Sequence, residues 1–478
     1  MAKREIKKVI IINPSSEIKI TKEGRVIMSL NISFETPRMP LSMAIMAGGL
    51  ENLCEVKIID AVNEEIKREE LKRQVHQFKP DLTIVNCSTP TIEDDMNAVI
   101  DAHETGSLTA MFGQHVDAIA DETMNECGEL DFCFRHEPEL VASKFIQAWN
   151  SEGRLEDIKG LAFRDSSGKP VVNEIHPYVD LEELPRPARH LLKNDLYRLP
   201  DGELYTNLLA SRGCPFNCPF CIAPAYHGLK VRRRDPKSLV DEVKSVYNEF
   251  GIKAFLFQSD LFTSSREWVK EVCEGLLETK IKGLRWICNS RVDTVDEETL
   301  KLMKKAGCFL MGIGIESGSP KLLPSLGKKV TVDKIKWMIN ACRKIGIRTN
   351  GSFVVGFPGE TEETLKETEE LVMQLPLDFA VFMCATPFPG TVFYEQLHEP
   401  DSRFRLNREW KKFCYHDYTI LGGLPEKTIK DFNRKMLRKY FFSFHYLILR
   451  LRDLRHPISL LKTIFYALKR LKKLEISR

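Results

Sequence analysis

Short apolar runs alternate with longer amphipathic stretches through the first third of the chain. Val9 to Asn13 is a β-branched run closed by Asn-Pro, the pattern of a buried strand. Leu41 to Leu53 reads as a helix, Val56 to Asp60 as a second strand and Glu64 to Phe78 as a second helix. Leu82 to Cys87 is a third strand that runs into Ser88-Thr89, and Ile92 to Thr105 is helical. Leu108 to Phe112 is a fourth strand, ending in Gly113-Gln114-His115, and Asp131 to Phe134 is a fifth. This alternation predicts a doubly wound parallel sheet over residues 1–150. Such sheets bind ligands beyond the carboxyl ends of their strands, where Asn13, Ser88, Thr89, Gly113, His115 and Glu137 stand.

Residues 151–200 read as a connecting segment. Leu161-Ala162-Phe163 and Val171-Val172 flank Asp165-Ser166-Ser167-Gly168, which predicts a hairpin, and Leu184 to Ala188 is an extended, Pro-rich linker. The alternation resumes over residues 201–400. Strands are predicted at Tyr205–Ala210, Ala254–Gln258, Trp286–Ser290, Leu310–Ile315, Gly351–Val355 and Phe379–Cys384, with amphipathic helices between them. Residues 401–478 read as a basic, amphipathic helical tail.

Composition adds class and compartment. A hydrophobic share of 43% and a charged share of 29% suit a soluble globular protein, and 478 residues suit two or three domains. The N-terminal MAKREIKKVIIINP lacks a signal-peptide core, and no segment offers about 18 uncharged apolar residues. A cytoplasmic protein that does not span a membrane is expected. Ten of the thirteen cysteines are isolated singles, which read as small core residues in a reducing compartment.

The other three lie together in Cys214-Pro215-Phe216-Asn217-Cys218-Pro219-Phe220-Cys221, spaced C-x3-C-x2-C. Two prolines keep this stretch out of a helix, so it is a loop whose three thiolates can face a common point. Zinc sites ordinarily need a second C-x2-C pair, which the chain lacks. A cubane iron–sulfur cluster is normally held by four cysteines; three leave one iron open.

This loop resembles that of the radical S-adenosylmethionine (SAM) enzymes. A doubly wound domain placed before it is similar to the cobalamin-binding branch, which includes C-methyltransferases and anaerobic tetrapyrrole cyclases. The resemblance implies an α/β architecture: a flavodoxin-like N-terminal domain, then a partial (β/α)6 barrel of the TIM type, with chemistry at the carboxyl ends of its strands. It implies a [4Fe–4S] cluster on Cys214, Cys218 and Cys221, SAM on the open iron, and cobalamin on the first domain. Gly113-Gln114-His115 and His136-Glu137-Pro138-Glu139 are degraded versions of that branch's Gly-Gly-x-His and Gly-Glu-x-Glu stretches. The Asp-x-His-x-x-Gly signature that supplies a histidine to cobalt is absent. Cobalamin contacts are thereby expected at Ser88, Thr89, Gly113, His115 and Glu137. The competing reading is a degenerate domain that binds no cofactor and only supports the barrel.

For SAM, Phe220 occupies the family's aromatic position beside the adenine. Asp260 ends the second barrel strand in Gln258-Ser259-Asp260, where relatives carry Gly-Gly-Glu, and accepts hydrogen bonds from the methionyl ammonium. Arg291 offers a planar fork to the carboxylate. Gly314 and Glu316 stand in Gly312-Ile313-Gly314-Ile315-Glu316-Ser317-Gly318, where the glycines admit a nucleoside and Glu316 accepts its ribose hydroxyls. Gly356 opens Gly356-Phe357-Pro358-Gly359, whose backbone edges the adenine.

The family reaction is reductive cleavage of SAM to a 5′-deoxyadenosyl radical that abstracts hydrogen from an unactivated carbon. With cobalamin it implies methylation of that carbon; the alternatives are anaerobic cyclisation or rearrangement, or a regulator whose cluster is only structural. A one-electron reductant such as flavodoxin or ferredoxin is implied. The extra N-terminal cysteine trio of methylthiolating tRNA enzymes is missing.

Charge singles out the tail. Net charge is +3, yet residues 434–478 carry thirteen Lys/Arg against Asp453 and Glu475, a local +11 that leaves about −8 elsewhere. Phe444, Leu447, Ile448, Leu451 and Leu454 follow helical spacing, and Leu461, Ile464, Phe465, Leu468 and Leu471 repeat it after Pro457. Two such helices predict peripheral contact with the anionic inner face of a membrane and suit a lipid-like substrate as well as a small molecule. The competing reading packs the apolar face on the barrel. No nucleic acid is expected, because the aromatics lie among the aliphatics and not among the charges.

Overall fold

The computed structural model describes residues 5–18, 20, 22, 37–399, 402, 405–406, 408–414, 417 and 420–451, the last two as backbone only. The first sheet contains β1 (Lys8–Asn13), β2 (Glu55–Asp60), β3 (Leu82–Cys87), β4 (Leu108–Gly113), β5 (Phe132–Phe134), β6 (Leu161–Arg164) and β7 (Pro170–Val172), in the order β2-β1-β3-β4-β5-β6-β7. Strands β1 to β5 are parallel, and β6 and β7 extend the edge antiparallel. The hairpin read as part of a connecting segment is therefore sheet. Its Leu161 and Phe163 enter the core beneath Phe132 and Phe145.

Alternation in β1 sets the two faces. Val9 and Ile11 pack with Met43, Met46 and Phe145, while Ile10 and Ile12 pack with Leu71 and Val75. The helix Leu41–Leu50 is apolar all round because it is covered twice. Met43, Met46, Ala47 and Leu50 face the first sheet, and Leu41, Ala44 and Ile45 face Tyr205, Leu209 and Ile287 of the second.

The second sheet is parallel throughout: β8 (Tyr205–Leu209), then β11 (Ala254–Gln258), β12 (Arg285–Ser290), β13 (Cys308–Glu316), β14 (Arg348–Val355) and β15 (Phe379–Cys384), in the order β15-β14-β13-β12-β11-β8. Between the first two lies a short antiparallel ribbon, β9 (Ser211–Arg212) with β10 (Arg232–Arg233). Six helices follow these strands, and each starts on a side-chain cap: Asp235, Ser265, Asp296, Thr331, Thr361 and Thr391 accept the backbone N–H three residues on. Each cap contributes about 1 kcal/mol, and together they fix where each loop at the strand ends stops.

The helix Glu426–Phe441 buries Ile429, Phe432, Met436 and Tyr440 on the second domain, with the Tyr440 hydroxyl donating to the carbonyls of Leu375 and Leu377. In the next helix, Phe444–Leu451, Tyr446 and Leu449 turn inward. Phe444, Leu447 and Ile448 are 77%, 56% and 49% exposed, so in these turns the apolar stripe does not pack on the barrel side. Leu454 and the second tail helix lie outside the described residues. Among those residues no helix is long and apolar enough to cross a membrane.

Candidate active site

The cysteine loop is bracketed by the β9–β10 ribbon at the carboxyl end of β8. Cys218 is buried, and Cys214 and Cys221 are half-buried. The loop is pinned by backbone bonds: Cys214 N–H to the Gly228 carbonyl (3.1 Å), Cys221 N–H to the Cys218 carbonyl (3.0 Å) and Phe393 N–H to the Pro219 carbonyl (2.9 Å). Gly213 has φ +91°, and a Cβ there would stand 2.1 Å from the Lys230 carbonyl oxygen, so only glycine can enter the loop.

Three strand ends hold this loop. After β11, Asp260 Oδ2 accepts from Gly213 N–H (2.6 Å) and faces His227 Nδ1 (2.9 Å). After β12, Arg291 lies over the Phe216 ring at 3.6 Å, pairs with both oxygens of Asp293 at 3.0 Å and reaches to 3.9 Å from Cys218 Sγ. At the end of β13 the ladder slips between Gly314 and Glu316, and Glu316 takes φ +67°, a bulge that re-aims its side chain. Glu316 Oε1 pairs with Lys328 Nζ (2.9 Å), which also donates to the Gly314 carbonyl (3.1 Å). The backbone of Gly327 rests on Cys218. Burial raises the thiol pKa of Cys214 and Cys218, while Lys328 and Arg291 pull Cys218 back toward the thiolate.

Phe220 packs against Phe357 (5.2 Å between centroids), which packs against Phe393 (5.7 Å). Gly356 N–H donates to Glu360 Oε2 (2.9 Å), fixing the turn after β14, and burial pushes the Glu360 carboxyl up.

The spacing predicts three thiolates that face a common point. Among the described residues no group of three or more His, Cys, Asp or Glu side chains is arranged to hold a single metal ion. A cubane does not need that convergence, since each cysteine ligates a different iron. The half-exposed loop, with Arg291 and Lys328 beside its thiols, fits such a cluster.

At the other sheet, Gly113 has φ +132°, and a Cβ there would meet the Cys87 carbonyl at 2.1 Å. His115 is 1% exposed, with Nδ1 3.2 Å from Thr89 Oγ1 and its ring edge-on to Trp410. Burial lowers its pKa to about 3, so the imidazole is neutral. Ser88 is tied to Thr91, and its N–H to Asp95, which pairs with buried Lys22. Three buried polar atoms at these strand ends, Asn13 Oδ1, Asn86 Oδ1 and His115 Nε2, have no hydrogen-bond partner among the described residues. Buried polar atoms are ordinarily satisfied, so this edge fits a large polar group.

Glu137 sits elsewhere. Both its oxygens are taken, Oε1 by Arg232 (2.6 Å) and Oε2 by Arg212, whose other nitrogen binds Glu139. Burial would raise the Glu137 pKa, but Arg212 and Arg232 outweigh it and hold the carboxyl below its usual range. Arg212 stands two residues before Cys214, so this quartet joins the first sheet to the cysteine loop. Arg212, Arg232, His227, Lys328 and Trp410 were not legible as site residues, because their partners are remote in sequence.

The sequence profile of the Radical SAM superfamily matches residues 208–372. An uncharacterized methyltransferase from Pyrococcus horikoshii is 31% identical over 85% of this chain and 87% of its own. An anaerobic magnesium-protoporphyrin IX monomethyl ester cyclase from Cereibacter sphaeroides is 28% identical over 85% of this chain and 68% of its own. Among solved structures, the radical S-adenosylmethionine methyltransferase TsrM from Kitasatospora setae, with cobalamin and a [4Fe–4S] cluster bound, aligns with a TM-score of 0.69 at 18% identity over 84% of this chain and 81% of that one. That likeness is one of fold.

Proposed function

We propose that this chain, which belongs to the radical SAM superfamily, is a cobalamin-dependent methyltransferase acting on an unactivated carbon of a small-molecule or lipid-like substrate. The observation that carries the reading is the gathering of three cysteines, two cations and Glu316 at the carboxyl ends of neighbouring parallel strands. When bound, the cluster and cobalamin supply what side chains lack, one-electron cleavage of a sulfonium and carriage of a methyl group.

The protein's own part is to hold and orient. Cys214, Cys218 and Cys221 ligate the cluster. Arg291, already stacked and braced by Asp293, neutralises the methionyl carboxylate. Glu316 accepts from the ribose hydroxyls, Phe220 and the Gly356 turn border the adenine, and Gly314 leaves room for the nucleoside. Asp260 is read as the brace of the loop, through Gly213 and His227, more than as an ammonium acceptor. The first sheet, with the 2-1-3-4-5 order of flavodoxin-like domains, receives cobalamin at Ser88, Thr89, Gly113 and His115. Glu137 belongs to the ion quartet. The domains run as 1–150 with the hairpin added, then 201–400 as a partial barrel, then the tail.

Reconstituted protein given SAM and dithionite without oxygen is expected to release 5′-deoxyadenosine and to take up hydroxocobalamin stoichiometrically. A full cluster with no 5′-deoxyadenosine would remove the radical reading. A protein that ignores cobalamin would remove the methylation reading.

The tail is read as a contact with the anionic inner face of a membrane. Phe442 and Phe444 are 58% and 77% exposed beside Leu447 and Ile448, at the start of the stretch with local charge +11. Each Lys or Arg near such a surface contributes about 1 kcal/mol. Cosedimentation with anionic liposomes is expected to fall in high salt and to be lost when residues 452–478 are deleted, which leaves the core residues Met436 and Tyr440 in place. Full-length protein that stays in the supernatant at low salt would end this reading.

A further inference from the structure

We propose that the outer edge of the cysteine loop is the docking surface for an acidic one-electron carrier protein, and that Lys230 and Lys329 receive it. The inference rests on the cluster reading above. Only a thin layer of chain separates the loop from solvent. Pro215 and Asn217 are exposed, and Cys214 and Cys221 are half-exposed. Two backbone segments flank this edge. Gly228 to Lys230 runs along Gly213 and Cys214, and Gly327 to Lys329 runs along Cys218.

Charge decides what fits. Three carboxylates at the strand ends are engaged by the site itself: Asp260 by Gly213 and His227, Asp293 by Arg291, and Glu316 by Lys328. The charges facing outward on the flanking segments are Lys230 and Lys329, both exposed and in no ion pair among the described residues. Leu229, 50% exposed, adds an apolar contact between the Cys214 segment and solvent. A small apolar spot with exposed cations, beside the half-exposed Cys214, suits a transient complex with an acidic partner. Such electron-transfer encounters bury little area and depend on electrostatic steering for their rate. The exchange is balanced: the carrier is oxidised by one electron and the cluster is reduced by one.

The test uses an acidic flavodoxin as probe and the full-length protein with the K230E/K329E double substitution. Binding of oxidised flavodoxin needs no cluster and reports on docking alone. Reduction of the reconstituted cluster by dithionite reports on the cluster alone. The unaltered protein is expected to bind flavodoxin more weakly as salt rises. The double variant is expected to bind it at least about tenfold more weakly at low salt, and to be reduced by flavodoxin hydroquinone correspondingly more slowly, while dithionite reduces both proteins alike. K230Q/K329Q is expected to fall between the two. Equal flavodoxin affinity in parent and double variant would overturn the proposal. A parent that binds flavodoxin as assigned but assembles no cluster would instead fault the cysteine reading.

Discussion

Replacing Cys214, Cys218 and Cys221 together by alanine is expected to leave a folded protein that cannot form its cluster. After anaerobic reconstitution the triple variant should lack charge-transfer absorbance, and its release of 5′-deoxyadenosine should fall to background. That loss is about 10⁶-fold or more, because the cofactor carries the hard chemistry and the side chains left behind have no equivalent. The fold should survive, since the loop is held by backbone bonds, by Asp260 on Gly213 and by Phe393 on Pro219, none of which needs a thiol. Far-ultraviolet circular dichroism checks that point. A triple variant that keeps a full cluster would mean that other cysteines are the ligands. Those others that are fully buried are poor candidates, because burial holds Cys133 and Cys308 far up the thiol scale.

Arg212→Ala is expected to be the most damaging single change to stability. Arg212 is 4% exposed and pairs with Glu137 and Glu139, both 0% exposed. Removing it takes from buried Glu139 its guanidinium partner and leaves buried Glu137 with Arg232 alone, and breaking a buried pair in this way costs about 3–5 kcal/mol. Denaturant unfolding should show that loss. Iron incorporation should also drop, since Arg212 leads directly into Gly213 and Cys214. A triple replacement of Arg212, Glu137 and Glu139 by apolar residues of similar volume should cost less than the single one. The sign with pH follows from Glu137. Its folded pKa lies below the ordinary 4.5, so its share of stability is present above that value and is lost as pH falls through the folded pKa. If Arg212→Ala unfolds within 1 kcal/mol of the parent, the quartet does not hold the domains together.

Much of the molecule was readable in one dimension because its cause is local. The apolar runs became the parallel strands of the two sheets, and the amphipathic stretches between them became the helices. The cysteine loop was legible because three ligands sit within eight residues. Gly113 and Gly213 stand where the backbone takes positive φ. The apolar stripe at Phe444, Leu447 and Ile448 was also plain from spacing.

Tertiary structure decided what depends on distant partners. It turned the hairpin at Leu161 to Val172 into the edge of the first sheet, because β5 is only three residues long and β6 pairs with all of it. It turned Asp260 onto the cysteine loop and saturated Glu137 with Arg212 and Arg232, pairings across 47, 75 and 95 residues that no local pattern encodes. It brought Lys328 to Glu316 through a bulge in β13, and Trp410 back over His115. Periodicity reports which face of an element is buried. A buried charge is acceptable only where the fold delivers its counter-charge, and that delivery is settled by packing alone.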